Sequence, residues 1–180
     1  MAGQPIAMGV ASVKIATPGD GVPGTDLKAL PQPEANAVQF NFSDPKETKI
    51  PIEGSDAPLY STFVKDSTDY VEMTFPTPSN EIIAMLCGGT HDKGTEQAPK
   101  DLWKEPITTP DISKTLVMET EVRNGKKVVY TIVNSKIVSK LSQAPTKDKW
   151  EQLMVRFYKQ AAITAAGVHG YAFSREVVTV

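Results

Sequence analysis

The chain has little of what chemistry usually requires. Among 180 residues there is one cysteine, Cys87, and there are two histidines, His91 and His169. One cysteine excludes an intramolecular disulfide framework and fits a reducing compartment. Two histidines and a cysteine in this spacing match no zinc site. No run approaches the roughly 20 apolar residues of a membrane helix. The opening MAGQPIAMGVASVKIATPGD lacks the basic start and continuous apolar core of a signal peptide. These absences predict a soluble protein, cytoplasmic at synthesis, without membrane insertion and without a cofactor.

The sites that remain are bland. His91 stands in GGTHDKG beside Asp92, and His169 in AAGVHGY. Cys87 falls on the apolar face of a predicted helix, where an inert thiol is expected. The CGGT at 87–90 follows a helix and lacks the lysine and downstream helix of a phosphate loop. Asp66, Asp69 and Glu72 cluster beside a strand and read as a solvated turn. Lys126 and Lys127, next to a hairpin tip, read as residues that keep a turn soluble or blunt an edge. No catalytic or metal-binding residue is expected, and a chain with sheets and no chemistry is expected to assemble.

What the chain does have is β-pattern and punctuation. Its 14 Pro and 12 Gly imply many turns, and its length suits one well-filled domain. In ISKTLVMETEVRNGKKVVYTIVNSKIVSKL (112–141), two β-branched runs flank Asn124-Gly125, a pair suited to a two-residue hairpin turn. A third short run after Asn134-Ser135 predicts a meander. Residues 69–75 alternate, with Val71, Met73 and Phe75 on one face and Tyr70, Glu72 and Thr74 on the other. Residues 8–16, 38–42, 49–52, 59–64 and a final run from Tyr171 are further strands. Ser79, Glu81 and Gly88 or Gly89 bound a short helix over 79–87. The Pro/Gly-rich residues 17–36 predict an extended arm outside any ladder, and 89–111 an irregular loop pinned by Trp103 and Ile107. Residues 147–163 carry a helical stripe (Trp150, Leu153, Met154, Phe157, Ala161), yet Leu153, Val155 and Phe157 also alternate as in a strand.

The expected class is therefore β-rich α+β: one antiparallel β-sandwich or barrel with a short flanking helix, a long hairpin and extended loops. Charge is uneven. Lys/Arg against Asp/Glu number 4 and 7 in residues 1–60, 5 and 10 in 61–120, and 10 and 4 in 121–180. That polarity suits head-to-tail association between copies, while a basic third without aromatic interleaving is weak support for nucleic-acid binding.

Four phrases carry a resemblance: IEGSDAPL (52–59), YVEMTFP (70–76), SNEIIAMLCGGT (79–90) and VMETEVRNGKKVVYTIVNSKIVSKLS (117–142). In order and wording they resemble the tail tube (major tail) proteins of tailed bacteriophages, most closely over 50–90 and 112–177. The resemblance implies a small sandwich or barrel with one helix and a strand, not a helix, at 150–163. It also implies rings of six copies that pool strands into an inner barrel and stack through loops and termini. The implied function is a virion conduit for DNA delivery, made in the host bacterial cytoplasm. Its implied partners are itself, other tail proteins (tip or baseplate, tape measure, terminator) and DNA in unspecific passage. The expected interface groups are Pro18, Pro23, Leu27 and Leu30 of the arm, Trp103 and Ile107 of the loop, and Asn124, Lys126, Lys127, Val129 and Tyr130 of the hairpin. On this reading, removing 17–36 leaves a folded monomer that cannot polymerise. The alternatives are another ring or decoration component (head–tail connector, tail terminator, capsid decoration) or, from a different class, a small ligand-binding or hydrolytic barrel using His91 or His169.

Overall fold

The computed structural model describes residues 4–65 and 68–180, so Asp66 of the carboxylate cluster lies outside the described residues. Strands hold 48% of the chain and helix 5%, which makes the fold a β-rich α+β one. Twelve strands follow in order: β1 (Val10–Ala16), β2 (Lys28–Ala29), β3 (Gln39–Asn41), β4 (Lys46–Ile50), β5 (Tyr60–Val64), β6 (Tyr70–Pro76), β7 (Thr90–Gly94), β8 (Pro99–Lys104), β9 (Ser113–Thr120), β10 (Lys126–Gln143), β11 (Gln152–Lys159) and β12 (Phe173–Thr179). One helix, α1 (Asn80–Cys87), lies between β6 and β7.

The 18-residue β10 organises the molecule, because it belongs to two layers. Its first half pairs β9 on one side and β12 on the other; its second half pairs β11, which continues through β6 to β3. All these pairings are antiparallel. One layer is β2-β1-β9-β10-β12, the other β10-β11-β6-β3. Val13, Ile15, Leu116, Met118 and Ile132 from the first share one buried cluster with Val71, Met73, Phe75, Leu153, Val155 and Phe157 from the second. Ile83 and Leu86 of α1 join that cluster, and the Ser139 hydroxyl donates to Leu86 O at 2.7 Å, fastening the helix to β10.

Several local expectations hold for their stated reasons. Asn124 and Gly125 sit at φ 52° and 67°, the left-handed values that a two-residue hairpin turn needs, between the reciprocal bonds of Arg123 and Lys126. Ser79 caps α1, accepting from Ile82 N, and Glu81 occupies its first turn. Residues 152–159 are a strand: Leu153, Val155 and Phe157 are fully buried, while Met154, Arg156 and Tyr158 are not. Period two prevails over the helical stripe because both neighbours, β6 and β10, offer complete ladders.

Three expectations are corrected. Asn134-Ser135 is not a turn opening a third strand; β10 runs through it, with a register shift against β9 between Ile132 and Ser135, so it is a bulge where β10 passes from one layer to the other. Residues 89–111 are not irregular throughout: β7 and β8 form a hairpin whose tight entry needs Gly89, where an added Cβ would stand 2.2 Å from Lys104 O. The arm does complete a ladder, since Lys28 and Ala29 pair Ile15 and Lys14 of β1.

Candidate assembly surfaces

The first layer ends differently on its two sides. Along β1 runs the arm: Leu30 N donates to Val13 O at 2.8 Å, Gln32 Nε2 to Ala11 O at 2.6 Å, and Gly24 N to Thr115 Oγ1 at 2.9 Å. At the opposite end β12 pairs β10 over seven residues, Phe173–Thr179, and pairs no other strand among the described residues. Its outer edge is a row of backbone donors and acceptors of the kind that templates pairing with another chain.

Register assigns the outer face of this layer. Lys14, Val117, Thr131 and Ser174 stand opposite one another in turn, as do Ser12, Glu119, Val129 and Glu176. Glu119 bridges two cations, with Lys14 Nζ at 2.9 Å and Lys127 Nζ at 2.6 Å. Those two lysine contacts hold the Glu119 carboxyl below the usual carboxylate range. The face thus alternates small hydroxyl and valine side chains with charges of both signs.

The hairpin β4–β5 is separate from both layers. Among the described residues its strands pair only with each other. Ile50, Ile52, Leu59, Tyr60, Phe63 and Val64 are each between 46 and 70% exposed. A lone two-stranded hairpin is marginal in water, and six large apolar side chains outside any core make a patch of the kind that marks an interface.

Its root is a buried carboxylate. Asp69, 3% exposed, accepts from Ser43 N at 3.0 Å and Ser43 Oγ at 3.2 Å on the strand entering the hairpin, and from Lys65 Nζ at 2.8 Å on the strand leaving it. Lys159 of β11 donates to the same carboxylate. Burial alone would push this carboxyl up, but the Lys159, Lys65 and Ser43 bonds and the Lys159 charge overcome it and hold it well below the usual range. Since the folded value lies below the unfolded one of about 3.9, the stabilisation is complete above that pH and is lost as pH falls through it towards the folded value. The urea midpoint is therefore expected to be flat from neutrality to about pH 5 and to decline below about pH 4. Asp69→Asn is expected to flatten that decline in part, the other lowered carboxyls (Glu81, Asp92, Asp101 and Glu119) contributing to the rest; an unchanged acid limb in Asp69→Asn would remove Asp69 from its cause.

The residues expected at interfaces divide. Leu30 is core, 8% exposed and packed in the main cluster, so it is unavailable to a neighbour. Its burial and the arm's bonds to β1 argue against the expectation for removing 17–36, since that deletion takes Leu30 from the core and uncovers the edge of β1. Pro18 and Pro23 are half-buried and Leu27 is exposed. Trp103 does pin its segment, donating from Nε1 to Gly88 O at 2.8 Å and packing on the core. Ile107 pins nothing; it is fully exposed on the rim of a groove of about 620 Å³ shared with Trp103, Pro110 and Leu141. Asn124 is in the exposed turn, with Lys126 beside it. Lys127 and Val129 are on the outer face of the first layer. Tyr130 instead points inward into an aromatic group, 5.2 Å from Phe40 and 6.3 Å from Phe173. The hairpin 46–64, the most exposed apolar element, was not among the expected interface groups, although IPIEGSDAPLYSTFV carried the signal: apolar runs on both sides of a turn with no third strand to cover them.

The chemistry-bearing residues stay apart in role. His91 Nε2 lies 2.6 Å from Asp101 Oδ1 across β7–β8, and His169 sits in an isolated bridge with Ile163. Cys87 Sγ lies 3.1 Å from Ser139 Oγ, whose proton goes to Leu86 O, so the thiol S–H is the donor there, and burial pushes the thiol up. Among the described residues no three His, Cys, Asp or Glu side chains are grouped to hold a metal. No described helix is long and apolar enough to cross a membrane. In comparison with known proteins, no family model matches this chain and no curated protein matches its sequence.

Proposed function

We propose that this chain is a structural subunit that polymerises into stacked rings, the tail tube of a bacteriophage virion, through which DNA passes. The observation that carries the reading is the asymmetry of the first layer. A seven-residue open edge, β12, lies at one end and the arm-covered β1 at the other. Pairing β12 of one copy against the arm side of the next is a heterologous contact, and such contacts close into rings or run on as filaments. Continuing the sheet around a ring removes the open edge.

Two further features support it. The outer face of the layer, which would line the channel, carries Lys14 and Lys127 against Glu119 and Glu176. Balanced charge gives no phosphate-binding stripe of the kind that holds DNA tightly. The β4–β5 hairpin supplies an apolar projection for contact between rings. The other tail proteins named by the resemblance would meet the two ends of such a tube.

The test is electron microscopy with sedimentation of the purified protein at rising concentration. Stacked rings or hollow tubes are expected. Closed rings that never elongate would move the assignment to a connector or terminator, and a persistent monomer at millimolar concentration, with tube-end initiator fragments added, would overturn assembly altogether.

A further inference from the structure

β3 and β6 are ladder partners, with Asn41 opposite Tyr70, so the chain leaves the second layer after Asn41 and re-enters it beside the same point at Tyr70. β4 and β5 continue that ribbon in their own register, from Lys46 opposite Val64 to Ile50 opposite Tyr60. Between the β3–β6 ladder and the β4–β5 ladder, side-chain contacts of the described residues converge on one carboxylate. Asp69 takes Ser43 from the outgoing strand, Lys65 from the returning strand and Lys159 from the neighbouring β11. Lys159 also places its ammonium 5.1 Å from the centre of the Phe42 ring, the residue before Ser43. Lys159 N donates to Asp69 O at 2.8 Å, which fixes the backbone of the socket to the sheet.

We propose that Asp69 is a positioning residue for assembly, the joint that fixes the direction in which the β4–β5 hairpin leaves the barrel. The inference rests on the reading of the hairpin as an inter-subunit contact. The ladder of the hairpin is internal, and its large side chains are exposed. A projection that must find a site on another copy loses affinity when its direction is free, because the lost orientations are then an entropy cost of binding. Four donor groups from three residues on one buried carboxylate supply that order in advance. Replacing the carboxylate by an amide of the same shape keeps Oδ1 as an acceptor for Ser43 and Lys65 but sets an NH2 group against Lys159 and removes the charge that holds both lysines, so the tie to β11 is lost and the tie to Lys65 is weakened.

The experiment separates direction from stability. Spin labels at Ser55→Cys on the hairpin tip and Val138→Cys on the exposed face of β10, in a Cys87→Ser background, report a distance distribution in the dilute monomer. The parent is expected to give a narrow distribution. Asp69→Asn is expected to broaden it by about twofold or more, as a locally released element does, while circular dichroism of the barrel stays native. An unchanged width would overturn the proposal, as would broadening that appears only together with loss of barrel structure. Should Asp69→Asn fail to fold, Lys65→Met decides in its place. It leaves Lys159 on the carboxylate and is expected to give an intermediate width; a parental width would overturn the proposal. The measurement needs no assembly. Broadening in a protein that never forms rings would keep the joint and discard the tube, and tubes with an unchanged width would do the reverse.

Discussion

A chain carrying Leu59→Ser, Tyr60→Ser and Phe63→Ser is expected to fold as the parent does and to lose stacking. All three side chains are well exposed on β5 or just before it. Exposed substitutions of this kind usually change stability by no more than about 0.5 kcal/mol each, so the melting temperature should move by at most about 5 °C. Assembly should respond far more. Burying a large apolar side chain is worth roughly 1.5–3 kcal/mol, and losing three from each stacking contact should raise the onset concentration of tubes by more than about a hundredfold. Rings should persist, since the β12 edge is untouched. Sedimentation and electron microscopy read both quantities from the same samples. Tubes at the parental onset concentration would show that the hairpin makes no inter-ring contact.

Phe157→Ala is expected to be the most damaging single substitution. Phe157 is fully buried on β11, between Val71 of β6 and Ile137 of β10. Truncating a buried phenylalanine costs about 3–5 kcal/mol, a large share of the 5–15 kcal/mol typical of a domain. At this chain length that lowers the melting temperature by roughly 10 °C. The neighbouring Tyr158 provides the contrast. It points away from the core and stacks on Tyr70 at 5.0 Å, a contact worth about 1 kcal/mol, so Tyr158→Ala should lower the melting temperature by only a few degrees. Equal damage from the two would contradict the alternation of β11.

That alternation also marks a limit of sequence reading. Trp150, Leu153, Met154, Phe157 and Ala161 satisfy a helical stripe as well as Leu153, Val155 and Phe157 satisfy a strand. Local periodicity cannot choose between them, because an eight-residue window holds too few turns or pleats to separate 3.6 from 2. The choice was made by partners distant in sequence: the edges of β6 and β10 on either side of the segment. The β7–β8 hairpin escaped for a related reason. THDKG and PKDLWK are polar, with exposed or half-buried side chains, so the ladder is held by backbone bonds that leave no hydrophobic pattern. Leu30 was misplaced because it sits in a Pro-interrupted stretch without a strand pattern, and its burial comes from lying along β1, where it bonds Val13, seventeen residues earlier in the chain.

The sequence by itself determined the elements whose causes are local. Asn124-Gly125 alone suits the positive φ values of its turn, Ser79 alone caps α1, and Val71, Met73 and Phe75 can share only one face of a strand. It also determined the class, since many short β-branched runs and one capped helix admit little else. The tertiary structure decided what depends on distance in space. It made Asn134-Ser135 a crossing between layers rather than a turn, because β9 and β12 hold one half of β10 and β11 the other. It laid the arm on β1 and left β12 with a free edge, and it gathered Ser43, Lys65 and Lys159 onto Asp69. Apart from Lys65, four residues from Asp69, these are long-range pairings, each set by which edges and charges remain unsatisfied once the core has closed, and no short window of sequence contains both partners.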